Sequence, residues 1–226
     1  MAFEEDVYKK LKAAIESWSQ DEVSKTYAIS FFIYDEEDDP RYPTLTLGYN
    51  TTDELDDSAT EESKWNYAFW PQTCEAFIGE GDEVERCKAW LRELGLWYVS
   101  EDEETDDIMQ GDHLYEDSID EAALAQGEKI TQAYVELAVR TAQRLHTEGV
   151  ITTVYGKTIP ILIHELEYYR DIAAQTERAN PPGVSQEFTD WIEGMYDIGK
   201  KIEKMRAMGV SEERIKLLEA MLRDEK

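Results

Sequence analysis

Apolar residues recur with helical spacing in the first eighteen positions of the chain. Successive members lie three or four residues apart: Phe3, Val7, Leu11, Ile15 and Trp18. Lysine and glutamate occupy most positions of the opposite face. Apolar residues at this spacing fall on one side of an α-helix. The pattern therefore predicts an N-terminal helix that buries one apolar stripe.

Two runs with the composition of strands follow this helix. Residues 26–34 are mainly aromatic and β-branched, and residues 44–49 alternate between apolar and polar side chains. The stretch between them is acidic and contains Pro40 and Pro43, which suits a turn. We therefore expect an antiparallel pair joined by an acidic loop. Residues 65–70 are also aromatic, but six residues do not distinguish a strand from a short helix.

Glycines and polar caps delimit two helices in the middle of the chain. An amphipathic stretch begins at Gly81 and ends at Gly95, the residue type that often follows a helix C-terminus. Ser118 and Glu121 form the S-x-x-E pattern of a capping box, and helical spacing continues from there to about His146. The sequence thus predicts a short helix and a long one.

The last third of the chain is predicted to contain two strands and three helices. The runs 150–155 and 158–163 have strand composition. Pro160 makes the second run an edge strand or the start of a strand, because proline has no amide hydrogen for a ladder. The helices are expected over 165–178, over 186 to about 205, and from Ser211 onward, with breaks at 180–183 and Gly209.

These elements predict an α+β fold, with a small, mainly antiparallel sheet packed against several helices and a helical C-terminal segment. A chain of 226 residues suits one such domain. We expect the domain to cover residues 1–195 and a C-terminal helical extension to cover residues 196–226.

Composition excludes two classes of protein. With 42% hydrophobic and 11% aromatic residues, the chain is too apolar for a disordered protein. No apolar run reaches the roughly 20 residues that a membrane-spanning helix needs, and the acidic start of the chain does not resemble a secretory signal. We therefore expect a soluble, cytoplasmic protein with no membrane partner.

The chain is strongly acidic, and the acid is concentrated in its first half. The formal net charge is −28, and residues 1–127 carry 34 acidic and 9 basic side chains, against 17 and 14 in residues 128–226. A field of this sign repels phosphate backbones, so we expect no nucleic-acid partner. The same field attracts basic proteins, and a basic protein is the partner that we expect.

Two acidic runs supply the candidate partner-binding residues. They are Asp35, Glu36, Glu37, Asp38 and Asp39 in the first run, and Glu103, Glu104, Asp106 and Asp107 in the second. The alternative interpretation is that both runs are solvated loop surface that keeps the protein in solution. Neither run has the D-x-[DN]-x-[DN]-G pattern of a calcium-binding EF-hand loop.

Sequence signatures of catalysis are missing from the chain. It has no H-E-x-x-H, G-x-S-x-G, phosphate-loop or glycine-rich dinucleotide motif. Cys74 and Cys87 are 13 residues apart, which fits neither a zinc-binding pair nor a redox C-x-x-C, and the helix around Cys87 predicts a buried thiol. His146 is expected to carry a partial positive charge that stabilises the end of its helix. We expect no cofactor and no metal, and we favour a non-enzyme.

One cluster of polar and aromatic residues is the candidate for a small-ligand site. His164, Glu165 and Tyr168 lie where an apolar run meets a predicted helix, a position at which polar side chains often converge. A histidine beside a carboxylate can act as a base or as a metal ligand. Trp65 and Trp70 offer aromatic faces for stacking. The alternative in each case is structural: an ordinary strand–helix junction, and aromatic residues of the core.

Five short motifs carry a resemblance to a known family. They are Tyr-Ala-Ile-Ser at 27–30, Trp-Asn-Tyr-Ala-Phe-Trp at 65–70, Gly-Lys-Thr-Ile-Pro-Ile at 156–161, His-Glu-Leu-Glu-Tyr-Tyr at 164–169 and Ala-Asn-Pro at 179–181. Together they resemble a bacterial family of uncharacterised proteins with a domain of unknown function. Some relatives look like immunity proteins encoded beside polymorphic toxins. The resemblance covers about residues 1–195 and implies no catalytic residues.

Charge and resemblance together favour a non-enzymatic protein-binding module, and the resemblance implies an immunity-type protein that binds a basic toxin or another cationic partner. The alternative is an enzyme, or a small-ligand- or metal-binding protein, with its site around His164, Glu165 and Tyr168. The two hypotheses differ in whether these three side chains converge on a concave surface.

Overall fold

A four-stranded sheet of mixed direction lies at the centre of the α+β fold. The computed structural model describes residues 2–55, 59–98 and 121–216. Within them the strands are β1 (Thr26–Asp35), β2 (Pro43–Thr51), β3 (Ala76–Ile78) and β4 (Ile161–His164), in the order β3-β2-β1-β4. β2 is antiparallel to both β1 and β3, whereas β4 runs parallel to β1. The expected α+β fold with a mainly antiparallel sheet is confirmed.

Helices cover the sheet and form the C-terminal part of the described chain. Their bounds are α1 Ala2–Ser17, α2 Gln20–Lys25, α3 Glu61–Trp65, α4 Asp82–Glu93, α5 Glu121–Thr147, α6 Val150–Tyr155, α7 Arg170–Ala179, α8 Gln186–Tyr196 and α9 Ile198–Ala207. Residues 212–216 are also helical. Ser118, the predicted cap of α5, lies outside the described residues. No helix in the three described ranges is long and apolar enough to cross a membrane.

Several predicted elements are present with small changes of boundary. α1 buries its apolar stripe, and β1 and β2 form the expected antiparallel pair, with a 3-10 turn at Glu36–Asp38 between them. The ambiguous run 65–70 contains the end of α3 at Trp65 and a 3-10 turn at Tyr67–Phe69. β4 is an edge strand, as the proline before it predicts.

The prediction of a strand over 150–155 is wrong, because this segment is helix α6. Gly149 has a φ of 74° and Gly156 a φ of 66°, so a left-handed residue delimits the helix at each end. Ile151 and Tyr155, one turn apart, are both buried. Packing of this face outweighs the preference of β-branched residues for strands.

Two predicted helix boundaries also need correction. The helix expected over 165–178 begins only at Arg170, after a bend in which Tyr168 packs against the core. The helix expected over 186 to about 205 is interrupted at Asp197, where the backbone is extended with φ −75° and ψ 104°. Two helices, α8 and α9, therefore replace one.

The sheet separates two hydrophobic clusters. Ile29, Phe31 and Ile33 of β1 join a large cluster with α1, α4, α5 and α6, whereas Ala28 joins a smaller cluster with α3, α7 and α8. Alternate residues of a strand point to opposite faces, which explains this division. Because β1 and β4 are parallel, their carboxyl ends lie at the same end of the sheet. Asp35, the last residue of β1, lies at this end.

Side chains from α7 and from the residue after it cover the open edge of β4. Thr176 Oγ1 accepts a hydrogen bond from the Ile163 N–H at 3.0 Å and donates one to the Ile163 carbonyl at 3.0 Å. Asn180 makes the same two kinds of hydrogen bond to Ile161: its Oδ1 accepts from the Ile161 N–H at 2.8 Å, and its Nδ2 donates to the Ile161 carbonyl at 2.7 Å. Gln175 adds a bond to the Ile163 carbonyl at 3.1 Å. Side chains one helical turn apart thus take the place of a fifth strand.

Replacing Thr176 with valine tests this arrangement. Thr176→Val keeps the shape of a side chain with 0% exposure but leaves the Ile163 N–H without its partner. We expect the free energy of unfolding to fall by about 2 kcal/mol. Urea unfolding followed by circular dichroism measures this change.

Thr152→Val is the matched control, because the Thr152 hydroxyl also donates to a backbone carbonyl but is exposed. We expect a change below about 0.5 kcal/mol for this variant. Equal losses in the two variants would contradict a specific contribution of Thr176 to the edge of β4.

Candidate functional site

The side chain of His164 is fully buried and makes two hydrogen bonds. Its Nε2 lies 2.7 Å from the Ser30 Oγ on β1, and its Nδ1 lies 3.4 Å from the Glu165 carbonyl oxygen. A carbonyl oxygen only accepts, so Nδ1 carries the proton and Nε2 accepts the Ser30 hydroxyl hydrogen. Ser30 and His164 both have 0% exposure. The pair has the spacing of a nucleophile and its base, but neither side chain is accessible from the surface.

Aromatic rings surround His164. Its ring centroid lies 5.0 Å from that of Tyr67, 5.5 Å from that of Phe32 and 5.9 Å from that of Tyr168. The Tyr168 hydroxyl oxygen accepts a hydrogen bond from the Tyr67 N–H at 2.8 Å. Burial lowers the pKa of His164 to about 4 and raises the pKa of Tyr168 to about 12. Both side chains are therefore neutral near pH 7.

Trp65 and Trp70 belong to the smaller hydrophobic cluster and are 5% and 4% exposed. The Tyr27 ring meets both indoles edge-on, with centroids 5.7 and 6.1 Å away. The Trp70 Nε1 donates to the Lys64 carbonyl at 3.0 Å. The structure thus places both residues in the core, which is the structural alternative to a stacking platform.

Glu165, the residue after β4, faces a cleft of about 1010 Å³. Residues of α5 within 123–136 form one wall, and residues of α7 within 171–178 form the other. Asp35 and Tyr169 also line it, and the Tyr169 hydroxyl donates to the Glu165 carboxylate at 3.0 Å. Of the five residues predicted for a ligand site, Glu165 alone lines this cleft. The predicted constellation therefore does not converge on it.

The carboxylate of Asp35 is partly buried in the wall of the cleft. Its Oδ2 accepts a hydrogen bond from the Thr131 hydroxyl at 3.4 Å. Its Oδ1 is buried and has no hydrogen-bond partner among the described residues. Burial raises the pKa of Asp35, and the negative charges of Glu165, Asp39 and Asp38 raise it further. A cation bound beside Oδ1 would satisfy this group.

The residues of the predicted acidic run at 35–39 differ in exposure and in their partners. Glu36, Glu37 and Asp38 are exposed on the 3-10 turn, whereas Asp39 forms an ion pair with Arg41 at 2.6 Å. Burial raises the pKa of Asp39, but the hydrogen bonds and charge of Arg41 outweigh burial and hold this pKa below its usual value. The residues of the second predicted run lie outside the described residues: Glu103, Glu104, Asp106 and Asp107.

The cleft carries an excess of negative charge, and we call it the acidic cleft. Five carboxylates line it, and among its lining residues the basic side chain is Arg178, which pairs with Glu136 at 2.6 Å. Glu128, Glu165 and Asp171 form no ion pair within the described part of the chain. Glu128 and Asp171 are missing from the sequence prediction because each is a single acid on a helix. Only the packing of α5 beside α7 brings them to one surface.

Two other groups considered from the sequence have structural roles. Cys87 is buried, as predicted, and burial raises the pKa of its thiol to about 12. Burial lowers the pKa of His146, and its Nε2 donates to the Asn180 Oδ1 at 3.0 Å. The prediction of a partly cationic His146 is therefore wrong, because desolvation outweighs the hydrogen bond to Asn180, which favours the charged form.

Within residues 2–55, 59–98 and 121–216, no three His, Cys, Asp or Glu side chains are grouped so that they could hold a metal ion. No protein-family model, curated protein or solved structure gives a significant match to the chain. The resemblance to the bacterial family therefore stays a prediction.

The buried neutral His164 predicts a pH-dependent stability. Its pKa is about 4 in the folded protein and near 6.5 when unfolding exposes it, so the unfolded chain binds an extra proton between these values. The stability that His164 contributes is present above pH 6.5 and is lost as the pH falls towards 4. We expect the wild type to lose about 2 kcal/mol more than His164→Gln between pH 7.5 and pH 5.

Urea unfolding at several pH values measures this difference. Thr176→Val serves as control, since it is destabilised without losing a titrating group and should follow the pH dependence of the wild type. Parallel curves for wild type and His164→Gln would show that His164 does not titrate between the folded and unfolded states.

Proposed function

We propose that the protein is a non-enzymatic binding module that holds a basic partner protein at the acidic cleft. One observation carries the proposal. Asp35, Glu128, Glu165 and Asp171 line one concave surface and have no basic partner in the described chain. Unpaired charges of one sign in a cleft with low-dielectric walls focus the electric field and attract the opposite charge.

The buried carboxylate of Asp35 favours the binding of a cationic group in the cleft. A buried carboxylate oxygen without a hydrogen bond costs free energy. An ammonium or guanidinium group from a partner would donate to this oxygen and offset that cost through a charge-assisted hydrogen bond. The exposed acids Glu36, Glu37 and Asp38 lie beside Asp35 in the chain and extend the negative field towards solvent.

The predicted resemblance adds a biological setting to this proposal. An acidic cleft suits an immunity-type protein of the bacterial cytoplasm whose cationic partner is a toxin. The alternative function, a ligand or catalytic site at His164, gains no support from the geometry. Its hydrogen-bonding nitrogens are occupied by Ser30 and Glu165, and its ring has 0% exposure.

Neutralising three carboxylates of the cleft tests the proposal. The triple variant Glu128→Gln, Glu165→Gln and Asp171→Asn removes three negative charges at nearly constant side-chain size. We expect its affinity for a fluorescent twelve-residue lysine peptide in 50 mM NaCl to fall at least about tenfold, which is about 1.4 kcal/mol. Fluorescence anisotropy measures the Kd, and 300 mM NaCl should weaken binding to the wild type.

A second triple variant removes the same charge at the opposite end of the β1–β2 pair. Glu54, Glu61 and Glu62 are exposed and follow the end of β2 that pairs with the start of β1. Their replacement by glutamine should change the Kd less than about twofold, because screening confines each charge to its surroundings. An equal loss in the two triple variants, both with wild-type circular dichroism, would make net charge rather than the cleft responsible.

A further inference from the structure

The acidic cleft continues into a smaller groove beside it. The smaller groove has a volume of about 310 Å³ and shares Asp35, Thr131, Glu165 and Tyr169 with the acidic cleft. Asp38 and Glu167 add two more carboxylates to its lining. The two depressions therefore form one surface across the carboxyl ends of β1 and β4, which we call the extended groove.

Large apolar side chains are exposed along the extended groove. Leu124 is 57% exposed and Tyr169 is 38% exposed, and both line the acidic cleft. Leu166 is 69% exposed and lines the smaller groove. Exposed leucine side chains gain free energy when a partner removes them from water. Because they share these linings with unpaired carboxylates, the complementary partner is both apolar and cationic.

The surroundings of the extended groove favour a helix as its occupant. A partner strand would need an open ladder, and Thr176 and Asn180 already occupy the free edge of β4. Two helices, α5 and α7, form the walls instead, with small residues Gly127 and Ala174 in the lining. The stretch 123–136 of α5 is about 20 Å long, which matches a helix of about 13 residues.

We propose that the extended groove binds an amphipathic cationic helix of a partner protein. Apolar residues at helical spacing would cover Leu124, Leu166 and Tyr169, and flanking lysine or arginine side chains would pair with the carboxylates, Asp35 among them. This inference rests on the proposed function, because it names the kind of partner that the acidic cleft accepts.

Charge argues against two other occupants. The 22 residues at 99–120, which connect Tyr98 to the first residue of α5, contain ten acidic side chains and no lysine or arginine. The carboxylates of the groove would repel such a segment. A second copy of the chain would bring a net charge of −28 to the same surface. A cationic helix is the occupant with complementary charge.

Two peptides of equal composition separate the helix proposal from simple charge attraction. Both contain eight lysines and six leucines. One places the leucines on a single helical face, and the other distributes them around the helix. In 300 mM NaCl, where charge attraction is screened, we expect the amphipathic peptide to bind the wild type at least about tenfold more tightly, which is about 1.4 kcal/mol.

Variants locate the binding. The double variant Leu124→Ser and Leu166→Ser should lose about tenfold in affinity for the amphipathic peptide and less than about twofold for the other peptide. Met208→Ser is the matched control, because Met208 is 65% exposed and lines neither depression. Its affinity for the amphipathic peptide should stay within about twofold of the wild type.

The outcomes distinguish this inference from the proposed function. Equal binding of the two peptides, with loss in the cleft-carboxylate variant, would overturn the helix but keep an electrostatic module. Binding of neither peptide, nor of the lysine peptide, would overturn both. Amphipathic binding that the groove variants leave unchanged would overturn the groove as its site. A dimer in sedimentation velocity that Leu166→Ser dissociates would make a second copy the occupant instead.

Discussion

The cleft depends on one buried side chain, Asn180, which joins three elements of the fold. It hydrogen-bonds the N–H and the carbonyl of Ile161 in β4, the carbonyl of Thr176 in α7 and the ring of His146 in α5. Four bonds use the amide fully. Because this end of α7 is fixed to both β4 and α5, the remaining turns of α7 lie opposite the 123–136 stretch of α5. The space between them is the acidic cleft. Its shape therefore follows from the hydrogen bonds by which Asn180 pairs with backbone groups of β4 in the core.

At the carboxyl end of β4, the hydrogen bonds within the protein decide which polar side chain can still bind a partner. His164 and Glu165 are neighbours in the chain, yet only one of them has free capacity for a partner. The imidazole of His164 is committed to Ser30 and to the Glu165 carbonyl inside an aromatic layer. The Glu165 side chain faces the cleft and, apart from the Tyr169 hydroxyl, keeps its acceptor positions. A buried neutral histidine with both nitrogens hydrogen-bonded rigidifies the junction, and the carboxylate beside it is the one available to the proposed partner.

Local patterns in the sequence predicted the elements in which a periodic pattern extends over many residues. They failed where tertiary packing determines the secondary structure. The stripe of α1 and the β1–β2 pair were predictable because eighteen residues of helical spacing and two β-rich runs leave little ambiguity. Residues 150–155 have strand composition and form a helix, since burial of Ile151 and Tyr155 on one face overrides it. The acidity and the position of Asp35 in an acidic run were also visible in the sequence, but its place in the wall of a cleft was not. Glu128 and Asp171 were not predictable, because their meeting depends on how α5 packs against α7, which no local pattern contains.

The distribution of ion pairs supports the proposal that the acidity has more than a solubilising role. On the C-terminal half of α5, acids of α1 meet bases: Glu4 pairs with Arg140 at 2.9 Å and Glu5 with Arg144 at 2.5 Å. On the N-terminal half, Glu128 faces a cleft in which Asp35, Glu165 and Asp171 also form no ion pair within the described chain. Solubility requires charge only on convex, solvated surface. Gathering carboxylates in a concavity instead raises their mutual repulsion and desolvates Asp35, which costs stability. The proposed partner of opposite charge would offset this cost, which is the pattern of functional sites that locally oppose folding.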